Sequence, residues 1–302
     1  MEKNINFSSK FKSANYFSFF IFSVSILFIL FKGLNYGIDF KGGTLIELRA
    51  NSTNINISEI RSSLNSMNLG DVSVKEFGKE GDYLIKVEEK IGSKNELIPE
   101  IKKTLVNNLN AEISFRRVEN VGPKVSSELL QSGLIAISLS LAAMLFYIWI
   151  RFEWQFSIGS IVALFHDVII TIGIFSILSL EINLSIIAAV LTIVGYSMND
   201  TVVIYDRIRE NLNKYTRLDI SDISNLSINE TLSRTIITSV TTLLALLSIY
   251  ILGGEILRGF SFAMILGVLI GTYSSIFVAA PVLKFFKVSY KTLEKEEEKI
   301  VP

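Results

Sequence analysis

The 302-residue chain has no cysteine and a single histidine. Without cysteine, disulfides, zinc–thiolate sites and a thiol nucleophile are excluded. Charge is also scarce: charged residues make up 19% of the chain, and 29 Lys and Arg balance 29 Asp and Glu, so there is no basic excess for nucleic acid. What the chain has instead is apolar sequence. Half of its residues are hydrophobic and its mean hydropathy is +0.46, which is typical of a membrane protein.

Six apolar runs are long enough to cross a bilayer, which takes about 20 residues. They cover residues 15–34, 129–150, 156–180, 182–205, 235–252 and 260–285. The first run is longer than the core of an ordinary signal peptide, and no small-residue cleavage site follows it. We therefore expect an α-helical protein with six transmembrane helices, the first of which is a retained anchor.

Basic residues predict the orientation of the spans. They concentrate in the N-terminus (1–14), the loop 206–234 and the tail (286–302). By the positive-inside rule, both termini and this loop of the five-helix bundle 128–285 are expected in the cytoplasm. The spaced apolar residues of the loop favour an interfacial helix over a partner-binding site. The Lys- and Glu-rich tail predicts a solvated end.

Residues 35–127, between spans one and two, are then expected outside the membrane; we call them the inserted domain. Alternating apolar residues predict strands at 44–49, 72–77, 83–87 and 112–118, with a hairpin loop at 78–82. A capped helix is predicted from Ser58, and a second helix over 94–109. The order βαββαβ predicts a small α+β domain of the ferredoxin-like type.

The most informative residues are the charges inside apolar runs. Asp200 lies in the fourth run and Arg234 lies at the start of the fifth. An ionised group among lipid tails costs several kcal/mol, so such residues mark ion pathways, proton relays or ion-paired interiors. Asp200 precedes Asp206 by six residues, which places it about 9 Å below the cytoplasmic surface. Arg234 enters from the same surface, so we expect the two residues to pair.

Helical spacing gathers most polar residues of three spans into stripes that we expect to face one another. The stripes comprise Thr192, Tyr196, Asn199 and Asp200 in span four, Arg234, Thr238, Thr241 and Ser248 in span five, and Ser160, Asp167 and Thr171 in span three, next to His166. Alternatively, Asp200 and Arg234 form an ion pair that only holds the two helices together. For His166, a packing hydrogen bond and a relay role stay open. Gly267, Gly271 and Ser275 predict close helix packing.

Seven strings along the chain resemble the SecD/SecF family of protein-export membrane subunits, which is related to the resistance-nodulation-division transporters. They are Gly195–Glu210, Gly37–Thr44, Val121–Pro123, Arg151–Trp154, His166–Val168, Arg234–Ser239 and Leu252–Gly254. The family usually has glycine at Ser126 and often proline at Glu255, so local turns can differ there. Gly37–Thr44 lacks a P-loop ending, and we expect its Gly37, Asp39, Gly42 and Gly43 to form a tight turn.

The resemblance implies an accessory subunit of the Sec translocase in the bacterial inner membrane. Its implied partners are SecD, the SecYEG translocon, YajC, the translocating preprotein and membrane lipid, and its implied energy source is the proton motive force. The expected ion pathway comprises Asp200, Arg234, Asp167, Asn199 and His166. Burial favours a neutral Asp200, whereas a nearby Arg234 favours an ionised one. A change in the distance between the two residues can therefore make Asp200 bind or release a proton. No cofactor is expected beyond H⁺, although oxygen ligands suit Na⁺ equally.

Two alternatives belong to other classes of protein. An intramembrane aspartyl protease would use Asp167 and Asp200 as a proton-sharing pair. Against it, no Gly-x-Gly-Asp motif precedes either residue, and their predicted depths differ. A resistance-nodulation-division half-transporter that exports a small molecule would need a second half, because six spans are half of the usual twelve.

Overall fold

The computed structural model describes residues 5–50, 55–67, 69–70, 72–76, 81–87, 97–109 and 112–297. These residues form two compact units. One is a helical bundle made of the chain up to Asn35 and from Ile135 onward, and the other, Tyr36 to Leu134, contains the inserted domain except Asn35 together with the start of the next helix. The predicted residues 77–80, 94–96, 1–4 and 298–302 lie outside the described part.

Six helical segments in the described residues are long and apolar enough to cross a membrane, which confirms the predicted number of spans. The helices are α1 (Phe11–Phe31), α5 (Pro123–Arg151), α6 (Trp154–Ile177), α7 (Leu184–Lys214), α8 (Ile220–Leu252) and α9 (Gly254–Ser274), which continues through a π turn (Ser275–Ala279) into α10 (Ala280–Phe285). Short elements are a 3₁₀ turn (Ser8–Lys10), β1 (Asn35–Tyr36), α2 (Ile38–Lys41), β6 (Glu181–Ile182) and α11 (Tyr290–Glu297).

The predicted loop 206–234 is mostly helical, because α7 extends to Lys214 and α8 begins at Ile220. Asp219 caps α8 by accepting a hydrogen bond from the Ser221 amide at 3.1 Å. The prediction of an interfacial helix is wrong: Ile220, Ile223 and Ile228 are buried in the core of the bundle. Their apolar side chains pack on protein instead of lying on a membrane surface.

The predicted solvated tail also packs on the bundle. Val288 and Leu293 are buried in the same core as the spans, although Leu293 lies on the polar helix α11. A few apolar side chains in a charged segment are enough to dock it, since each buried aliphatic residue contributes about 1.5–3 kcal/mol.

The start of the described chain is tied to α8. The backbone amides of Phe7 and Ser8 both donate to Asn225 Oδ1, at 2.7 and 3.3 Å. Asn229 pairs with Ile5, accepting from its amide at 2.9 Å and donating to its carbonyl at 2.8 Å. Phe7 is buried, and its ring lies 6.1 Å from the tilted ring of Phe277 in the π turn. We call residues 5–9 the N-terminal strap.

Small residues let α9 lie close to α7, as their spacing predicts. A Cβ at Gly271 would lie 3.0 Å from the Ser197 Cβ, and a Cβ at Gly267 would overlap the Ile193 side chain. Ile193 is buried, so it has little room to move away.

We expect Gly267→Ala to destabilise the bundle. Overpacking a tight contact costs about 1–3 kcal/mol, which outweighs the gain of about 1 kcal/mol in helix propensity. Thermal unfolding in detergent measures the effect. Adding Ile193→Ala is expected to remove the clash, so the double variant should lose less stability than the sum of the two single changes. Gly195→Ala is the matched control, since its new Cβ would meet only a Met144 methyl at 3.9 Å.

The inserted domain contains a four-stranded antiparallel sheet in the order β3-β4-β2-β5. Its elements follow the predicted order: β2 (Gly43–Ala50), α3 (Ile57–Asn65), β3 (Val72–Glu76), β4 (Asp82–Val87), α4 (Leu97–Leu109) and β5 (Ile113–Val121). Alternate residues of the two central strands are buried with the helices in one core, for example Ile46, Ile85 and Leu105. Asn56 caps α3, accepting from the Ser58 amide at 3.2 Å.

The glycine motif before β2 forms the expected tight turn around α2. Gly42 and Gly43 have φ angles of 80° and 126°, which other residues rarely adopt. A Cβ at Gly42 would also lie 3.2 Å from the Val121 carbonyl oxygen. The turn therefore packs on the end of β5, at the Val121–Pro123 motif.

Charged residues line the other face of the sheet. Arg49 binds Asp82 through two hydrogen bonds of 2.6 Å, and Arg117 lies 3.4 Å from Glu47. Lys86 shares this face with Lys75. Burial, reinforced by the positive charge of Lys75, lowers the pKa of Lys86 from 10.5 to about 8.

We expect the inserted domain to become more stable as the pH rises from about 8 to 10.5, between the folded and unfolded pKa values of Lys86. In this window the unfolded chain binds more protons than the folded one, so stability increases with pH. Urea unfolding followed by circular dichroism over a pH series measures the slope. In Lys86→Met the increase in stability between pH 8 and 10.5 that is due to Lys86 should disappear. If the slope of stability against pH is unchanged in this variant, other titrating groups cause it.

Candidate functional site

Asp167 lies at the centre of a buried polar cluster in the bundle. Its carboxylate is fully buried, and it accepts hydrogen bonds from Ser197 of α7 at 2.5 Å and Ser274 of α9 at 2.7 Å, both at Oδ2. Its other oxygen, Oδ1, lies 2.9 Å from His166 Nδ1. Three spans therefore meet at this one carboxyl group.

His166 is held between aromatic rings. The Phe22 ring of α1 stacks on the imidazole at 6.3 Å, and the Tyr273 ring of α9 does so at 6.5 Å. The Tyr273 hydroxyl donates to the Ala14 carbonyl at 2.9 Å and lies 3.0 Å from Ser18 Oγ. His166 Nε2 is buried and has no hydrogen-bond partner among the described residues.

Asp200 forms a second buried site on α7. The residue is only 3% exposed, and its Oδ2 has no hydrogen-bond partner in the described part of the chain. Thr272 of α9 lies beside the carboxyl, and Thr272 is in turn 2.7 Å from Ser239 of α8. A carboxyl group with a free buried oxygen is costly when ionised and can be neutralised by a proton.

Hydroxyl groups continue the polar interior between α7 and the π turn. Thr201 Oγ1 lies 2.8 Å from Ser275 Oγ, and the Tyr205 hydroxyl donates to the Ala279 carbonyl at 2.9 Å. Gly159 of α6 makes room for this contact, since a Cβ there would overlap the Tyr205 hydroxyl. A π turn leaves backbone carbonyls outside the regular helix pattern, and such turns are frequent at functional sites.

The expected ion pair between Asp200 and Arg234 is not formed. Arg234 is exposed on α8, and within the described residues its guanidinium makes no ion pair with Asp200. Asn199 is also exposed, whereas Asp167 and His166 are buried together as expected. The structure thus brings together two of the five predicted pathway residues directly.

The predicted polar stripe of α8 does not face α7. Thr241 and Ser248 are exposed and donate to carbonyls of their own helix, at Ile237 and Leu244. Such bonds satisfy a hydroxyl within a helix, so these residues tolerate lipid or a partner protein. The buried polar residues of α8 are instead Ser224, Ser227, Thr235 and Ser239.

Sequence reasoning missed Ser197, Ser274 and Thr272 as members of the site. Serine and threonine are common in transmembrane helices and bond to their own backbone, so their type alone carries little signal. Ser197 could have been identified from its position in the sequence, because it lies one helical turn before Asp200.

The two carboxyl groups are separate. Asp167 bonds to His166, Ser197 and Ser274, and no hydrogen bond joins it to Asp200 in the described chain. An aspartyl protease needs two carboxyls that share a proton. This arrangement therefore does not supply the geometry of that alternative.

At the end of the bundle near the strap, ion pairs connect the helices. Arg207 of α7 binds Glu230 of α8 at 2.7 Å, and Arg151 of α5 binds Asp206 of α7 at 2.8 Å. Arg209 contacts the buried Glu153 at 3.0 Å. These pairs fix the ends of α5, α7 and α8 relative to one another.

Comparison with known proteins decides the family. The protein-family model described as "Protein export membrane protein SecD/SecF, C-terminal" matches residues 101–289. A second family model, "SecD/SecF GG Motif", matches residues 27–53, which include the Gly37–Thr44 turn. "Protein translocase subunit SecF" of Rickettsia bellii (strain OSU 85-389) is 48% identical over 282 residues, which are 91% of each chain. The chain belongs to the SecF family of protein translocase subunits. The relative from Rickettsia rickettsii (strain Sheila Smith) is 45% identical and covers 94% of each chain.

A solved SecF relative has the same fold. The crystal structure of SecDF from Thermus thermophilus, titled a translocon-associated membrane protein, superposes with a TM-score of 0.86 at 35% identity. It covers 95% of this chain, whereas this chain spans only 39% of the SecDF chain. A structure of SecDF in its super-membrane-facing form gives a TM-score of 0.70 at 34% identity and covers 99% of this chain. The protein is thus a multi-pass inner-membrane subunit of the Sec protein-export machinery.

Proposed function

We propose that this chain works with a SecD-type partner at the SecYEG translocon, where it uses the proton motive force to promote preprotein movement and release on the outer side of the inner membrane. The observation that carries the proposal is the buried carboxyl of Asp200, whose Oδ2 has no partner among the described residues. In a SecF-family subunit, an intramembrane carboxyl of this kind is suited to bind and release a proton.

The proposed coupling step changes the distance between Asp200 and Arg234. Arg234 is exposed and forms no ion pair with Asp200 within the described residues, and a buried carboxyl without a positive partner is suited to hold a proton. Loss of the proton would favour approach of the guanidinium and so a movement of α8 against α7. A charge that crosses the membrane field gains about 2.3 kcal/mol per 100 mV, which is enough to bias such a movement.

The proposed orientation places residues 1–14, the segment 206–234 and the tail in the cytoplasm, because these segments carry the basic residues. The inserted domain then lies outside, where it meets emerging preprotein or SecD. We propose that it has the ferredoxin-like fold, since its βαββαβ order and its sheet order β3-β4-β2-β5 match that fold. YajC and membrane lipid are further proposed partners.

Export into membrane vesicles tests the proposed function. Vesicles from cells depleted of the chain are compared with vesicles that contain it, and late translocation and release of a preprotein are measured with a proton gradient and after its collapse. We expect the chain to accelerate release only when the gradient is present. A sodium gradient in place of the proton gradient identifies the coupling ion.

Co-purification in mild detergent is the second arm of the test. Recovery of a SecD-type subunit with the chain is the expected result. Gradient-independent export together with no such partner would contradict the proposal and return the chain to the class of small-molecule half-transporters.

A further inference from the structure

We propose that His166 and Asp167 form a second proton-binding site, separate from Asp200, in which the exchangeable proton is carried by His166 at Nε2 and Asp167 is its fixed counter-ion. The proposal rests on the proposed proton-coupled function for its purpose. Its chemistry rests on the geometry of the cluster alone.

The hydrogen bonds of Asp167 are the first observation behind the proposal. Two hydroxyl donors, Ser197 and Ser274, converge on Oδ2, and His166 Nδ1 lies 2.9 Å from Oδ1. Two hydroxyl donors on Oδ2 favour an ionised carboxyl, because a carboxylate only accepts hydrogen bonds, and a hydrogen on His166 Nδ1 would add a third donor. The proton of the pair is therefore expected on the imidazole and not on the carboxyl group.

In the proposed pair, the ionised Asp167 selects the tautomer of His166. With Nδ1–H donated to Asp167, neutral imidazole leaves its lone pair on Nε2. That atom is buried without a hydrogen-bond partner in the described residues, so it is free to take a proton. When a hydronium ion gives its proton to Nε2 it becomes water, and the pair changes from one net negative charge to an imidazolium–carboxylate pair of zero net charge.

The surroundings of the imidazole make this change matter. Phe22 approaches from α1, and Tyr273, whose phenol donates to the Ala14 carbonyl, approaches from α9. Asp167 is the only carboxylate within ion-pair distance of His166 in the part of the chain described here. A lone buried carboxylate is costly in a membrane, and protonation of its neighbour offsets that cost.

The site also touches the helix that carries Asp200. Ser197 donates to Asp167 from α7, and Asp200 follows Ser197 by one turn. A change of charge at the His166–Asp167 pair therefore alters a hydrogen bond of α7 directly. This gives the second site a physical connection to the first, through one helix.

Nuclear magnetic resonance of the single histidine tests the proposal. The full chain is labelled with ¹⁵N-histidine and purified with a histidine-free affinity tag, so that both nitrogen signals belong to His166. At high pH we expect Nδ1 to carry hydrogen and Nε2 to be bare. As the pH falls through the range of about 8 to 5, Nε2 should become protonated as well.

Two variants assign the titration. Asp167→Asn should weaken the preference for the Nδ1–H tautomer, because a neutral amide is a poorer acceptor than a carboxylate, and should lower the proton affinity of His166 at least tenfold. Asp200→Asn should keep both the tautomer and the titration, since it leaves the contacts of His166 in place. Neither readout requires SecD, a translocon or export, so a failure of the proposed function would not affect it.

Three outcomes would overturn the proposal. They are the opposite tautomer in the wild type, no protonation of Nε2 over the whole pH range, or a titration that disappears in Asp200→Asn. The wild-type series alone decides the first two, whether or not the Asp167→Asn chain folds.

Discussion

Export by the Asp200→Asn variant is expected to lose its response to the proton gradient while the bundle stays folded. Asparagine has nearly the shape of aspartate but cannot bind or release a proton in this range of pH. Since Oδ2 of Asp200 has no partner among the described residues, the change breaks no hydrogen bond at that atom. If the full 2.3 kcal/mol per 100 mV lowers the barrier, the loss is up to about 50-fold in rate.

The measurement is the release rate of a preprotein from vesicles with and without the gradient. Asn213→Ala is the matched control, because Asn213 lies on the same helix α7, is exposed and is not among the expected pathway residues. We expect it to retain the gradient response. A response that survives in Asp200→Asn would remove Asp200 from the proposed mechanism, and thermal unfolding in detergent separates that outcome from misfolding.

The second large effect is expected in the inserted domain. Ile46→Ala should destabilise this domain by about 2–5 kcal/mol, because Ile46 is fully buried in the middle of the central strand β2. A small domain has a total stability of about 5–15 kcal/mol, so much of its margin would be lost. Urea unfolding of the full chain, followed by circular dichroism, measures the change.

Leu45→Ala provides the comparison within the same strand. Leu45 is the preceding residue, and its half-buried side chain points to the opposite, charged face of the sheet. Its replacement should cost clearly less than that of Ile46. Equal costs would mean that both faces of the sheet are packed.

Periodicity predicted most of the fold because it reports burial directly. Six apolar runs became six spans, and the four strands of the inserted domain lie within a few residues of their predicted positions. Prediction from periodicity failed where apolar residues are sparse. Ile223 and Leu293 looked like surface residues of polar segments, yet each is buried because the bundle supplies the rest of its environment.

The candidate site was predicted less completely, for a physical reason. Charged residues such as Asp167 and Asp200 stand out in an apolar run, so their burial could be expected from sequence. The orientation of α8 could not be predicted from the sequence, because Thr241 donates a hydrogen bond within its own helix and needs no polar neighbour. The observed orientation of α8 differs from the predicted one by one residue, so that Thr235 is buried and Arg234 is exposed.

The N-terminal strap has a consequence for the order of assembly during synthesis. Asn225 and Asn229 lie more than 200 positions after the backbone groups of Phe7 and Ile5 that they bind, at separations of 218 and 224 residues. The ribosome therefore delivers the first helix long before its docking partners on α8 exist. Until α8 and the π turn are inserted, Phe7 and Phe11 have no aromatic neighbour at Phe277. The strap can therefore close only after α8 and the π turn have been inserted, and in a chain interrupted before α8 both phenylalanines would lack this contact.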